Sequence, residues 1–465
     1  MSNVVRIAKD PLVEQPLKTS QATGAALAAM GLAGCVPLFH GSQGCCAFAK
    51  VYLIQHFREP MPFQNTAVDQ ISAVMGGDDS VVSALALIAE KHQPEMIMLM
   101  STGLTEMQGC DLQRLVHQFY QDHPQFNDIV VVAVNSADFS GSLQSGYAAA
   151  VKACLEQVLL GPRAKLPLVR DNQSLARDSQ RPLVTLLCSS TYNAADVELL
   201  QRYCDALGLD SIALPDLGSS LDGHLAADSF SPTSTGGTGL EQLRQLPHSR
   251  YTLVLGESLL DSAQLLEREF GTPYQAFGMG LAGSDALINC LCQISGNPVP
   301  AWISRERRRL QDALLDTHFL LSSAPMALAA EPDCVLAYSA LLDEIGVDLQ
   351  LVVTTLNHHA LKQLSAKEVV VGDLSALRPK LDSVELVLGN THCANLCEPA
   401  VPVHRLGYPC HDRFGNSERL QLGYQGARAR LFEMANLLKA NHHDEVPAHH
   451  SPYRFQPEDL SYGGR

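Results

Sequence analysis

Residues 38–47 read LFHGSQGCCA, so that two adjacent thiols, Cys45 and Cys46, close a run of Gly41, Ser42, Gln43 and Gly44. A cysteine used only for packing behaves as a small hydrophobe and belongs on an apolar face. Here a glycine-rich turn brings bare backbone up to sulfur, which is what a ligand to a bulky inorganic cluster needs. An iron-sulfur cluster closes on about four protein ligands. The chain offers one convincing thiolate, so if Cys45 is a ligand, the remaining ligands come from another polypeptide.

Other chemistry-bearing residues read differently. His392, Cys393, Cys397, His404, Cys410 and His411 have the donor types of a zinc site, but their spacing matches no C-x₂-C pattern. Cys290 and Cys292 sit two apart in INCLCQI and point to different helix faces. Cys154, Cys188, Cys204 and Cys334 lie inside apolar helix or strand patterns and read as core. The histidine pairs 358–359, 442–443 and 449–450 lie in polar surroundings and read as solvated. Cys110 follows a strand end and a glycine; just inside a helix there, a packed thiol and a reactive one are equally consistent with the pattern. No G-x-x-x-x-G-K-[ST] or G-x-S-x-G appears, and the GGTG at 236–239 reads as a surface loop.

The elements that position these residues alternate between strand-like runs and amphipathic helices. Buried strands are expected at 96–100, 129–134, 183–188, 251–256, 349–355, 368–374 and 384–390, with helices at 81–92, 194–208, 259–271 and 301–323. That alternation predicts an α/β fold of three Rossmann-like units, each a mainly parallel sheet flanked by helices. A chain of 465 residues also suggests roughly three domains. The polar, proline-bearing stretch 161–182 and SGNPVP at 295–300 divide it into units at 1–165, 180–298 and 299–440, followed by a histidine-rich arm at 441–465.

With 33 basic against 49 acidic residues the formal charge is −16, which disfavours nucleic acid or an anionic membrane as partner. No apolar run reaches the ~18 residues of a membrane span, and the N-terminus lacks a signal-peptide core, so a cytoplasmic location is expected. In that compartment 13 cysteines are core thiols or metal ligands rather than disulfides.

Taken together, PLKTSQATGAALAAMGL from Pro16, PLFHGSQGC ending at Cys45, HFREP at 56–60, DQISAVMGG ending at Gly77, STGLTEMQGCDL at 101–112, NSADFSGS at 135–142 and LQDALLDTHFLLSS at 310–323 resemble the nitrogenase component-1 superfamily. Within it the chain resembles the β-like subunit of the scaffold that matures the iron-molybdenum cofactor. The resemblance covers about residues 15 to 440. The catalytic β subunit carries three cysteine ligands to its larger cluster. Here the matching positions are Ser20, Cys45 and a site near Gly103, so the resemblance implies that the larger cluster does not form.

The resemblance implies instead a 4Fe-4S cluster shared with an α-like partner of the NifE type in an α2β2 heterotetramer, with Cys45 as this chain's metal ligand. Cys46 departs from the family's usual small residue. It further implies transient binding of the cofactor precursor delivered by the synthase NifB, insertion of molybdenum and homocitrate, and docking of the nitrogenase iron protein. The expected role is assembly rather than turnover, with no catalytic residue. The alternatives are the β subunit of a nitrogenase-like oxidoreductase, including a vanadium-system or protochlorophyllide reductase-like one, and a metal-free α/β binding protein in which Cys45 is incidental.

Overall fold

The computed structural model describes residues 5–8, 13, 16–75, 77–162, 181–225 and 231–441. Most of the linker expected at 161–182 and all of the arm beyond residue 441 lie outside the described residues.

Three parallel sheets carry the fold. The first orders its strands β3 (Gln64–Asn65), β2 (Cys35–His40), β4 (Met96–Ser101) and β5 (Val130–Val134). The second runs β7 (Asp210–Leu214), β6 (Leu183–Cys188), β8 (Tyr251–Leu255), β9 (Tyr274–Ala276). The third runs β1 (Val5–Ile7), β12 (Glu368–Val371), β11 (Asp348–Thr354), β10 (Pro325–Ala330), β13 (Leu386–Gly389), β14 (Val403–Arg405). Parallel strands need crossovers and are covered on both faces, so their sequences are continuous apolar runs. Every residue of β4 (MIMLMS) and β5 (VVVAV) is buried.

In the first unit the helices are α1 (Gln21–Met30), α2 (Gln43–Phe57), α3 (Gln70–Met75), α4 (Asp78–His92), α5 (Gly103–Met107), α6 (Leu112–Asp122) and α7 (Leu143–Leu155). Small residues let α1 and α7 touch backbone to backbone: a Cβ on Gly24 would fall 1.8 Å from the Leu143 carbonyl oxygen, and one on Gly146 would fall 1.9 Å from that of Gln21.

Two features depart from the chain-order reading. Val5–Ile7, expected in the unit spanning 1–165, pairs parallel with Val369–Val371 as the edge strand of the third sheet. A three-residue strand has too little pattern to announce its partner. The GGTG stretch is an interdomain seam rather than a surface loop. Thr238 N–H donates to the Gly31 carbonyl at 2.9 Å and Ala33 N–H returns to Thr238 at 3.0 Å. With φ of +87° and a would-be Cβ 2.7 Å from the Gly31 carbonyl carbon, Gly237 has to be glycine. One apolar core accordingly joins the first and second units, and another the second and third.

Candidate functional site

The C-terminal ends of β2, β4 and β5 lie side by side, with His40 in register with Ser101. In open α/β sheets this edge is where ligands bind. The turn after β2 is fixed from several sides. Thr102 Oγ1 and Thr105 Oγ1 both donate to the His40 carbonyl, at 3.1 and 3.0 Å. Gly41 N–H donates to Thr66 Oγ1 at 3.2 Å, and Val68 N–H to the Gly41 carbonyl at 2.9 Å. A Cβ on Gly41 would lie 2.5 Å from Thr102 Oγ1, so only glycine permits this packing.

The glycine-rich turn expected around Cys45 is therefore short and held from several sides. It ends at Ser42, the N-cap of α2, and both cysteines lie in the first turn of that helix. The fifteen-residue helix presents its free N-terminal N–H groups here, a setting that favours an anion. Ser42 Oγ and Cys45 Sγ are 3.5 Å apart, and Cys45 is half-buried. Cys46, only 4 % exposed, turns into the core instead, its Sγ 3.8 Å from the Gln64 carbonyl, and burial raises its pKa.

Ser20 and Gly103 converge on Asp138 in the loop after β5. Ser20 caps α1 and its Oγ donates to Asp138 Oδ1 at 2.6 Å; Gly103, first residue of α5, donates its N–H to Asp138 Oδ2 at 3.4 Å. A Cβ on Gly103 would meet Asp138 only at 3.6 Å, ordinary contact distance. The strand ends are tied by Ser136, whose N–H reaches Ser101 Oγ at 2.8 Å and whose hydroxyl reaches the Ser101 carbonyl at 2.6 Å. Asp138 had no local signal in NSADFSGS, because its partners come from elsewhere in the chain.

Exposed apolar side chains surround this edge. Phe48 (80 %), Met107 (81 %) and Phe139 (66 %) stand in solvent, as do Val51, Ile71 and Val74. Gln108 hydrogen-bonds the Ala73 carbonyl, so α3 and α5 meet there. These side chains stand on the elements that flank the edge, while Leu225 and Phe319 are exposed elsewhere in the chain.

The remaining cysteines are placed otherwise. Cys110 is half-buried in the loop before Asp111, the cap of α6, and not inside a helix; it packs against the first unit's second core. Cys393, Cys397 and Cys410 are each at most 2 % exposed, and burial pushes the thiols of Cys397 and Cys410 up to about 12. Among the described residues, the six His and Cys positions at 392–411 do not assemble as a metal-ligand group. Cys154, Cys188, Cys204, Cys290 and Cys334 are buried, and no disulfide links any of the 13 cysteines. Among the described residues no helix is long and apolar enough to cross a membrane.

The fold and this edge define the class. Residues 20–439 match the family described as nitrogenase component 1 type oxidoreductase, and the chain belongs to that family. A chain of the solved structure titled "Nitrogenase Cp1 at pH 6.5" superposes with a TM-score of 0.84 at 26 % identity, covering 97 % of each chain. Within the family, the chain falls with the nitrogenase iron-molybdenum cofactor biosynthesis proteins NifN. It is 39 % identical to that of Klebsiella pneumoniae over 100 % of this chain and 99 % of the relative, and 40 % identical to that of Rippkaea orientalis over 94 % and 97 %.

Proposed function

We propose that this chain is the β-like subunit of a scaffold on which the nitrogenase iron-molybdenum cofactor is matured, and that Cys45 gives one thiolate to a 4Fe-4S cluster completed by a NifE-like α subunit. The observation that carries the reading is the composition of the sheet edge. One half-buried thiol stands at a helix N-terminus, a hydroxyl and a backbone N–H occupy the Ser20 and Gly103 positions, and exposed apolar side chains surround them. That donor set fits one corner of a cluster and cannot close one alone.

The residues divide the work. Ser42 ends the turn and stands beside Cys45 Sγ, while Gly41 and Thr102 lock the turn to the next strand so that the sulfur keeps its position. Phe48, Val51, Met107 and Phe139 supply the apolar area that a partner subunit would cover, excluding water from the junction. A 4Fe-4S cluster, when bound, supplies one-electron transfer at that junction. The cofactor precursor is cargo rather than a resident group: it arrives from a NifB-type synthase, takes up molybdenum and homocitrate, and leaves in an α2β2 assembly served by the nitrogenase iron protein. The assembly is cytoplasmic in this reading.

The test is a transfer assay. The complex of this chain with its α-like partner, isolated anaerobically with precursor, should restore activity to a cofactor-deficient component 1 when iron protein, MgATP, molybdate and homocitrate are supplied. Substrate reduction by the complex at rates near those of a nitrogenase, without transfer, would overturn the scaffold reading in favour of an oxidoreductase.

A further inference from the structure

Glu257, His358 and His359 come from two different units and meet at one point. Glu257 opens the turn after β8 and His358 caps the turn after β11, so the group lies where the C-terminal ends of the second and third sheets face each other. One ligand atom from each of the three residues lies within 4.8 Å of the others, and among the described residues no other such group of three forms. The histidine pair, expected to be merely solvated, thus has a carboxylate partner brought from a hundred residues away in the fold.

The backbone holds the group in place. Gly256 has φ of +121°, and a Cβ there would lie 2.5 Å from both Asp333 Oδ2 and the Ser189 side chain. Ser258 N–H donates to Asp333 Oδ1 at 3.0 Å, so the turn carrying Glu257 is clamped on both sides. The two imidazoles lie with centroids 4.3 Å apart, and Ala360 N–H donates to His358 Nδ1 at 3.3 Å.

We propose that these three residues bind a divalent first-row ion of the zinc or ferrous type between the second and third units. Two imidazoles and one carboxylate are the donor set of open zinc sites and of non-haem iron sites, and the imidazoles disfavour magnesium and calcium. Metal–donor bonds of about 2.1 Å require donors about 3.4 Å apart in a tetrahedral site, so binding draws atoms that now lie within 4.8 Å of one another to that spacing. It also breaks the Ala360 contact, because a neutral imidazole that gives one nitrogen's lone pair to a metal carries its proton on the other. Three protein ligands leave coordination positions for water or an exogenous ligand. The site shares no residue with the Cys45 edge and does not depend on the scaffold reading.

The test uses the full-length chain without a polyhistidine tag, stripped with chelator and titrated with Co2+ while visible absorption is followed. Wild type should show one binding step that Glu257→Gln and His359→Ala each weaken at least tenfold, with circular dichroism and melting temperature unchanged. The same step should be displaced by Zn2+ or, anaerobically, by an excess of Fe2+. Glu257→Gln keeps the side chain's shape, so it remains informative if the histidine variant fails to fold. Equal Co2+ affinity in wild type and both variants, or displacement by neither ion, would overturn the proposal, since the other histidines would then account for the binding.

Discussion

Ser20 and Asp138, far apart in the chain, are joined by a 2.6 Å hydrogen bond that ties the start of α1 to the loop after β5, and the same carboxylate receives the Gly103 N–H. Ser20 and Gly103, two of the three positions that the resemblance is expected to match to cysteine ligands of the catalytic β subunit, are thus held by one carboxylate in this chain.

If Asp138 is the anchor of that corner, Asp138→Ala should cost about 1–3 kcal/mol, because it removes two charge-assisted hydrogen bonds. Ser20→Ala should cost about 1 kcal/mol through the lost cap and bond. Chemical denaturation of both single variants and the double variant measures this. The double variant should lose less than the sum, since the two residues share one interaction; strict additivity would show that the contact contributes nothing.

The apolar rim of the same edge should matter for assembly and not for folding. Phe48→Glu and Met107→Glu place charge on side chains that stand in solvent, so the isolated chain's melting temperature should scarcely change. Affinity for the α-like partner should fall at least tenfold, measured by size exclusion or calorimetry. Unchanged assembly in both variants would move the interface elsewhere.

A third prediction concerns pH. Glu331, which accepts from Ser142 at 2.7 Å and from Thr355, is raised to about 7 by desolvation; nearby Asp333 is raised to about 6 for the same reason. A carboxyl whose folded pKa is raised binds its proton more tightly in the native state. Its stabilisation is therefore full below the unfolded value near 4.5 and is lost as pH rises to about 7. His56, lowered to about 3 by burial, has the opposite slope, gaining stability as pH rises from about 3 towards 6.5. The glutamate is isolated by difference. Relative to wild type, Glu331→Gln should gain stability between pH 4.5 and 7, on the order of 2–3 kcal/mol, and the gain should level off above pH 7. A difference that stays flat across that range would contradict this assignment.

Much of the fold was legible because parallel strands buried on both faces must be continuous apolar runs. The stretches at 96–100, 183–188 and 251–256 match β4, β6 and β8 to within a residue. The short edge strands β1, β3 and β14 were not legible, since two or three residues carry no period, and β2 was obscured by Pro37 and the glycines after it. Site legibility followed the same division. Cys45 could be singled out as a candidate from its neighbours in sequence, although the helix starting at Gln43, which sets its surroundings, could not be read there. Asp138 and the Glu257–His358–His359 group depend on contacts between distant segments, which no local pattern encodes.

The central claim is that one of two adjacent sulfurs, Cys45, is a cluster ligand and the other is core. The most direct measurement is the iron content and electron paramagnetic resonance spectrum of the anaerobically isolated complex of this chain with its α-like partner, comparing wild type, Cys45→Ala and Cys46→Ala. Loss or marked alteration of the 4Fe-4S signal in Cys45→Ala, with the signal kept in Cys46→Ala, is the predicted result. A full, unaltered interface cluster in the Cys45→Ala complex would contradict it.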